Sequence, residues 1–243
     1  MSIEEEFERR NRELTARMGA DPELRELTRR WFARVSQLEY SYHFRWMGRP
    51  VIQYPQDLIA TQEILWNVKP DLVIETGIAH GGSLIFYASI LELIGRGRVV
   101  GVDIEIRPHN RAAIEAHPTF RRIELIEGSS TDEAVFARVR AAAEGQQTVL
   151  VALDSNHTHD HVLAELRLYS QLVTPGSYLI AFDTIVEQMP PEFSANRPWK
   201  PGNSPATAVA QFLSETDRFV ADEEIDSKLL ISVAPGGYLR CVK

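Results

Sequence analysis

The 243-residue chain, with 44% hydrophobic and 25% charged residues, has the composition of one globular domain with an extension. It contains no apolar run near the roughly 20 residues needed to cross a bilayer, and its formal net charge of −8 disfavours nucleic acid as a partner. Its single cysteine, Cys241, excludes an internal disulfide framework and is typical of a cytoplasmic protein.

Residues 1–45 predict a helical arm of two charged, amphipathic helices, and the acidic start of the arm does not have the pattern of a secretory signal. Between the two helices, in "GADPE", Asp21 is a suitable N-cap and Pro22 suits the first helical position. Such a charged arm either faces solvent or joins copies of the chain, and we expect a homo-oligomer formed through these helices.

Residues 46–243 predict one α/β domain, because strand-like apolar runs alternate with segments of helical period. Such alternation favours a doubly wound parallel sheet with helices on both faces. The strand-like runs are "DLVIE", "RVVGVD", "RIELIEG", "TVLVALD", "SYLIAFD", "KLLISV" and "GYLRCV".

The last two runs are separated only by "APGG", which is too short for a crossover helix and long enough for a hairpin. The sequence therefore predicts five parallel strands followed by a C-terminal hairpin whose last strand is antiparallel. This is the Rossmann-like arrangement of class I methyltransferases, whereas a plain dinucleotide dehydrogenase continues with parallel units.

The first strand leads into a glycine-containing turn, "IETGIAHGGS". Gly77 allows the backbone to approach a ligand closely, and Gly81 and Gly82 allow a helix to begin against it. The spacing differs from G-x-G-x-x-G, and the acidic Glu75 repels phosphate. Glu75 instead suits a cationic ligand, such as the amino group or sulfonium of S-adenosylmethionine. The alternative is a purely structural turn.

Asp103 ends the second strand, where an acid can accept hydrogen bonds from both ribose hydroxyls of an adenosine. Glu105 is the rival carboxylate, and a simple turn or capping role for Asp103 is the other alternative. After the third strand, Gly128 and Ser129 lie where an adenine edge is expected. This last signal is weak by itself.

Asp154 and Asp183 end the fourth and fifth strands, so neighbouring parallel strands are expected to bring two carboxylates to one edge of the sheet. Mg²⁺ takes oxygen ligands of this kind and keeps several waters. The ion would hold an acceptor hydroxyl and lower its pKa before attack on a methyl group. The alternative is that one or both aspartates cap the segments that follow.

Three histidines follow Asp154, but their alternate spacing on an entering helix turns them in different directions and disfavours a zinc site. His157 is close enough to the strand end to act as a general base, the alternative being a solvated or capping histidine. The proline-rich stretch 187–205 is irregular and long, which is typical of a lid or binding loop.

Several of these motifs, in order, resemble the cephalosporin hydroxylase family, whose members are similar to Mg²⁺-binding, S-adenosylmethionine-dependent O-methyltransferases that act on sugar or antibiotic hydroxyls. The resemblance extends from about residue 40 to the C-terminus. It is carried by "YSYHFRWMGRPVIQYPQDL", "KPDLVIETGIAHGGS", "GVDIEIRPHN", "LDSNHTHDHVLAEL", "LVTPGSYLIAFDT" and "PGGYLR".

The resemblance implies a small-molecule hydroxyl acceptor, such as a sugar or polyol in a secondary metabolite or glycolipid. Phe182 stands where the family often has an acidic ligand, and Thr184 is the candidate for a neutral oxygen ligand in its place. The implied cofactor contacts are Glu75, Gly77, Gly81, Ser83 and Asp103, the implied metal ligands are Asp154 and Asp183, and the implied base is His157.

Two other functions remain open at this point. The family name suggests a metal-dependent hydroxylase, which would require iron, although no 2-His-1-carboxylate triad is evident at the strand ends. The chain is alternatively a non-catalytic protein that binds the cofactor and uses its arm to assemble with an enzyme.

Overall fold

The computed structural model describes residues 2–243, and its core is a seven-stranded sheet flanked by helices. The strands are β1 (Arg45–Trp46), β2 (Arg49–Pro50), β3 (Leu72–Thr76), β4 (Arg98–Asp103), β5 (Ile123–Glu127), β6 (Val149–Leu153), β7 (Tyr178–Ala181), β8 (Phe219–Ala221) and β9 (Tyr238–Cys241). The strand order of the large sheet is β5-β4-β3-β6-β7-β9-β8, while β1 and β2 form a separate antiparallel pair. This arrangement confirms the predicted fold class.

Helices cover both faces of the sheet. They are α1 (Ile3–Ala20), α2 (Pro22–Ser36), α3 (Pro55–Val68), α4 (Gly82–Ile94), α5 (Pro108–Glu115), α6 (Glu133–Ala143), α7 (His159–Tyr169), α8 (Pro205–Glu215) and α9 (Glu223–Leu229). Among residues 2–243, no helix combines the length and apolar character needed to cross a bilayer.

Alternation of side chains along the buried strands explains why helices pack on both faces. In β3, Val73 belongs to one hydrophobic cluster, whereas Leu72 and Ile74 belong to a second cluster on the opposite face. A strand that is buried on both sides is apolar throughout, as β6 is. Because β3, β6 and β7 run parallel as neighbours, their carboxyl ends meet at the same edge.

The C-terminal segment differs from its prediction in one respect. The last strand is antiparallel, as expected, and it lies between β7 and β8. However, "KLLISV" is not a strand, because its first residues end α9 and the backbone N–H of Val233 donates to Asp57 Oδ2 at 3.0 Å. On its other side β9 pairs with the short strand β8, which is reached from β7 through the irregular stretch 187–205 and α8.

Asp57 fixes this C-terminal segment to the start of α3. Besides the Val233 amide, the hydroxyls of Ser232 and Tyr238 donate to Asp57 Oδ1 at 2.6 and 2.8 Å. The carboxylate is buried, and burial raises its pKa to about 6. The hydrogen bonds therefore hold residues 232–238 in place below the turn that follows β7.

The N-terminal arm contains the two expected helices, with Asp21 capping α2 and Pro22 in its first turn. Helix α1 contacts α9, where a Cβ atom on Gly19 would lie 2.2 Å from Ser227 Oγ. Helix α2 packs on the core through Phe32, whose ring stacks on Tyr54 with centroids 4.8 Å apart. The arm therefore contacts the sheet domain, and the boundary at residue 45 stays a prediction.

Candidate active site

The fourth and fifth parallel strands along the chain, β6 and β7, bring three candidate side chains together. Asp154 follows β6, Asp183 follows β7, and His157 lies in the loop before α7. Each offers one ligand atom, and these atoms all lie within 4.8 Å of one another. His157 Nε2 is 3.1 Å from Asp183 Oδ2. The predicted convergence of two carboxylates and a candidate base is therefore present in the geometry.

Asp183 adopts a left-handed backbone conformation, with φ of 57°, which is uncommon for a residue other than glycine and more accessible to Asp than to most others. The following residues are held by the C-terminal segment, since Ile185 N donates to Val233 O at 3.1 Å and Thr184 Oγ1 donates to Pro235 O at 2.8 Å. The hydroxyl hydrogen of Thr184 is thus used outside the group of three, and its role as a ligand stays a prediction.

Asp154 lies among groups that disfavour its charge. Its pKa is well above the usual value because the partly buried carboxyl is desolvated and because Asp183 and Glu75 place like charges near it. A hydrogen bond from Gln53 Nε2 to Asp154 Oδ2, at 3.1 Å, opposes this effect. A cation bound between Asp154 and Asp183 would relieve the repulsion, so the donor set fits Mg²⁺.

Gly77 lies where the turn after β3 meets the residues after β6. A Cβ atom on Gly77 would lie 2.1 Å from Asp154 O, and its φ is +83°. No other residue fits both constraints without moving backbone. The turn continues through Gly81, which is the N-cap of α4 with φ of 78°, so the backbone of the turn lies next to the aspartate edge.

Glu75 is completely buried at the end of β3, and Ser83 Oγ donates to its Oε2 at 2.7 Å. Burial is the main reason that the pKa of this carboxyl rises to about 8. Among the described residues, no hydrogen bond of normal geometry reaches the other carboxylate oxygen, Oε1, although the Tyr87 hydroxyl lies close enough to the carboxyl to oppose the rise in its pKa. An unpaired buried acceptor of this kind fits a ligand that brings a positive charge with N–H donors, such as an ammonium group.

Asp103 holds the glycine turn with its own carboxylate. Its Oδ2 accepts hydrogen bonds from Ile78 N and Ala79 N at 2.9 and 3.3 Å, and its Oδ1 accepts one from Glu105 N at 3.1 Å. A small cavity of about 170 Å³ lies beside it, with Ser129 in its wall. The predicted ribose and adenine contacts therefore line one cavity.

A second, larger cavity of about 1080 Å³ adjoins the small one. Both are lined by Gly77, Ser155 and Asn156, and the large cavity also contains Asp154, His157 and Asp183. The two cavities therefore share part of their walls at the edge of the sheet. The three converging side chains lie beside the point at which the cavities meet.

The walls of the large cavity come from the arm on one side and from the proline-rich stretch 187–205 on the other. Trp199 contacts the three-residue cluster, with its ring edge-on to His157 at a centroid distance of 5.6 Å. The stretch is anchored by Glu187, which accepts hydrogen bonds from Gly202 N at 2.9 Å and Ser204 Oγ at 2.6 Å. The residues of this stretch that line the cavity lie between Met189 and Trp199.

The three histidines after Asp154 point to different partners. His159 bonds to Thr207 Oγ1 at 2.8 Å, which joins α7 to α8. His161 Nε2 lies 3.2 Å from Ser155 Oγ, in the wall of the small cavity. Only His157 belongs to the cluster with the two aspartates.

Three residues near the site were not predicted from the sequence. Gln53 contacts Asp154 from a segment ahead of the first core strand, and the buried Glu165 accepts a hydrogen bond from Ser155 at 2.7 Å. Ile104 is 75% exposed and lines the small cavity next to Asp103. Only Ile104 had a usable signal, because an apolar residue directly after a strand-end acid is available to pack against a ligand.

The sequence profile of the family described as Rhamnosyl O-methyltransferase/CmcI matches residues 38–242. The chain belongs to this family. This confirms the resemblance drawn from the motifs and the predicted class of enzyme, an O-methyltransferase. The match begins within the predicted arm, so the family segment includes the aromatic stretch that precedes α3.

Curated relatives in the Rhamnosyl O-methyltransferase/CmcI family have similar lengths. The chain is 32% identical over 202 residues to the Rhamnosyl O-methyltransferase of Mycobacterium tuberculosis (strain H37Rv), covering 80% of this chain and 76% of the relative. It is 35% identical over 154 residues to the protein of the same name from Mycobacterium leprae, covering 62% and 65%.

Solved structures show the same fold at lower sequence identity. CmcI with Mg and SAM is similar with a TM-score of 0.59 at 18% identity, over 83% of this chain and 78% of that chain. An O-methyltransferase from Bacillus cereus in complex with SAH has a TM-score of 0.53 at 17% identity, over 89% and 90%.

Proposed function

We propose that the protein is an S-adenosylmethionine-dependent, Mg²⁺-assisted O-methyltransferase that acts on a hydroxyl of a sugar or polyol-bearing small molecule. The observation that carries the proposal is the convergence of Asp154, His157 and Asp183 beside Gly77, where the two cavities meet. This arrangement places a candidate base and two carboxylates next to a turn suited to a cofactor.

The cofactor is proposed to lie along the strand ends. Its methionine end would face Glu75, whose unpaired Oε1 suits an ammonium group, and Ser83 would keep that carboxyl oriented. Its adenosine end would occupy the small cavity beside Asp103 and Ser129. The turn containing Gly77 and Gly81 would separate the two ends, with its backbone in contact with the ligand.

The residues proposed to hold Mg²⁺ are Asp154 and Asp183, with Thr184 as a neutral oxygen ligand. When bound, the ion supplies positive charge that lowers the pKa of a hydroxyl near it. Asp183 has a second role toward His157. If the imidazole donates its Nε2–H to Asp183 Oδ2, Nδ1 carries the lone pair that accepts the proton of the acceptor hydroxyl.

Methyl transfer in this site depends mainly on alignment. The acceptor oxygen must meet the methyl carbon in line with the sulfur, so the walls of the large cavity must hold the acceptor in one orientation. Tyr42 and Phe193 offer partly exposed rings there, and such surfaces suit the apolar faces of a sugar or of its aglycone. The names of the mycobacterial relatives support a glycosyl acceptor.

The decisive experiment combines calorimetry and methyl transfer. We expect S-adenosylmethionine and S-adenosylhomocysteine to bind and NAD not to bind.

Asp154→Asn and Asp183→Asn should each reduce transfer steeply while leaving cofactor affinity within a few fold, because these residues are proposed to act on the acceptor side. His157→Ala should lower the rate with a changed pH profile, because it removes the proposed base. Full activity in EDTA, without stimulation by added Mg²⁺, would exclude metal from the mechanism.

The hydroxylase alternative is not favoured. An iron triad of that type needs two histidines and one carboxylate, whereas the cluster within residues 2–243 contains one histidine and two carboxylates. The non-catalytic alternative predicts cofactor binding without any transfer, and the same assay tests it.

Homo-oligomerisation through the arm is a further part of the proposal. Ile3, Phe7 and Leu14 are spaced by four and seven residues on α1, and their exposed fractions are 90%, 64% and 43%. An exposed apolar stripe of this kind suits a second copy of the same helix. Light scattering after Phe7→Glu should report a smaller particle than the unmodified protein, and an unchanged mass would exclude this surface.

A further inference from the structure

Gln53 lies at the aspartate edge although its segment precedes the first core strand. The segment crosses the start of α4 so closely that a Cβ atom on Gly82 would lie 2.1 Å from Pro50 O. Gln53 is only 5% exposed, and it lines the large cavity. A polar side chain buried in this position requires an explanation from its hydrogen bonds.

Its amide group makes one contact within the protein. Gln53 Nε2 donates to Asp154 Oδ2 at 3.1 Å, and this is the amide orientation that a bound cation requires, since a carboxylate that binds a cation is ionised and only accepts. In residues 2–243, Gln53 Oε1 has no donor, although it is buried. The amide thus fixes one oxygen of a proposed metal ligand and leaves its own carbonyl unpaired.

A hydrated divalent cation would suit both the pair of carboxylates and the unpaired carbonyl oxygen of Gln53. Its charge neutralises Asp154 and Asp183, and the waters that Mg²⁺ retains are O–H donors for a carbonyl oxygen. Side chains that hydrogen-bond to a metal-bound carboxylate orient it, and their loss weakens metal binding.

We propose that Gln53 is a positioning residue of the metal site: its N–H orients Asp154 for a divalent cation, and its carbonyl oxygen accepts a hydrogen bond from a water carried by that cation. The inference rests on the proposed use of Mg²⁺. It adds to the site a residue that does not lie at the end of a core strand.

The test is Gln53→Met, which keeps the length of the side chain and removes both hydrogen-bonding groups. The matched control is Gln56→Met, the same change three residues later in the first turn of α3, at a side chain that also has a buried, unpaired Oε1 but does not line the large cavity. Mg²⁺ is titrated calorimetrically into each protein saturated with S-adenosylhomocysteine. Melting temperatures report whether each variant is folded.

We expect Gln53→Met to weaken Mg²⁺ binding about tenfold or more, the effect of losing a residue that orients a metal ligand. Gln56→Met should stay within twofold of the unmodified protein. Affinity for S-adenosylhomocysteine in EDTA should be unchanged in both variants. Methyl transfer by Gln53→Met should recover as the Mg²⁺ concentration is raised, which a purely structural defect would not allow.

Three results would overturn the assignment. They are Mg²⁺ affinity of Gln53→Met within twofold of the unmodified protein, equal weakening in Gln56→Met, and loss of S-adenosylhomocysteine affinity in EDTA with Mg²⁺ binding intact. Failure of the unmodified protein to bind Mg²⁺ would be a different outcome, because it would remove the proposed metal together with the role of Gln53.

Discussion

Glu75→Gln should stabilise the free protein and weaken cofactor binding. In the free protein, the Glu75 carboxyl is completely buried, and its pKa is raised from 4.5 to about 8 mainly by that burial. An acid whose pKa is raised by folding loses stability as the pH rises above its unfolded value, and the loss levels off above the folded value. Glutamine has nearly the same shape, keeps an oxygen for Ser83, and carries no charge.

The magnitude follows from the two pKa values. Their difference, 8 minus 4.5, is about 3.5 pH units and corresponds to about 5 kcal/mol in full. About 4 kcal/mol of this loss falls between pH 5 and pH 9. Relative to the unmodified protein, Glu75→Gln should therefore gain up to about 4 kcal/mol over that interval.

Urea unfolding at pH 5, 7 and 9 measures this difference in the free energy of unfolding. Calorimetry on the same samples should show S-adenosylmethionine binding weakened by about 1.5–3 kcal/mol, the range for a hydrogen bond to a charged group. Glu127→Gln makes the same change at the exposed end of β5 and provides the comparison. The reasoning is refuted if Glu75→Gln lowers stability equally at all three pH values. The carboxyl would then stabilise the fold through its hydrogen bonds, and its ionisation would not oppose folding.

The remaining predictions concern the glycine turn after β3 and the proline-rich stretch 187–205. Asp103→Ala should weaken S-adenosylmethionine binding by about 1.5–3 kcal/mol; unchanged affinity in a folded variant would move the ribose contact to Glu105. Gly77→Ala should lower both stability and cofactor affinity, because its Cβ atom would lie 2.1 Å from Asp154 O; a variant that melts and binds like the unmodified protein would show that this contact relaxes easily. The fluorescence of Trp199 and the protease sensitivity of residues 187–205 should change when an acceptor binds; if neither responds to an acceptor that is methylated, the stretch is a fixed wall.

The positions of strand-end residues were predictable because the pattern of apolar residues along the chain marks where each parallel strand ends. Asp154 and Asp183 each follow an apolar run, and neighbouring runs of this kind end at one edge. The contact between Gln53 and Asp154 joins residues 101 positions apart, and no local pattern encodes it. It depends on how the segment before α3 crosses α4, which only tertiary packing determines.

The error in the C-terminal segment has a similar physical origin. "KLLISV" has the composition of a strand, but its backbone N–H groups bond elsewhere: Leu230 N donates to Asp226 O at the end of α9, and Val233 N donates to Asp57, far away in the chain. The real partner strand, Phe219–Ala221, is three residues long and is flanked by charged residues. Apolar content therefore identified a buried segment without identifying its hydrogen-bond partners.

The position of β9 has a consequence for biosynthesis. This strand lies between β7 and β8, although it follows both in the chain. Until β9 is synthesised, β7 has one unpaired edge and β8 has no partner in the sheet, and open edges of this kind promote association between nascent chains. Because residues 232–238 also support the turn that carries Asp183, the aspartate edge is completed only when this last strand is inserted. Ribosome-bound chains halted before β9 should therefore require chaperone protection while all the preceding strands are already present.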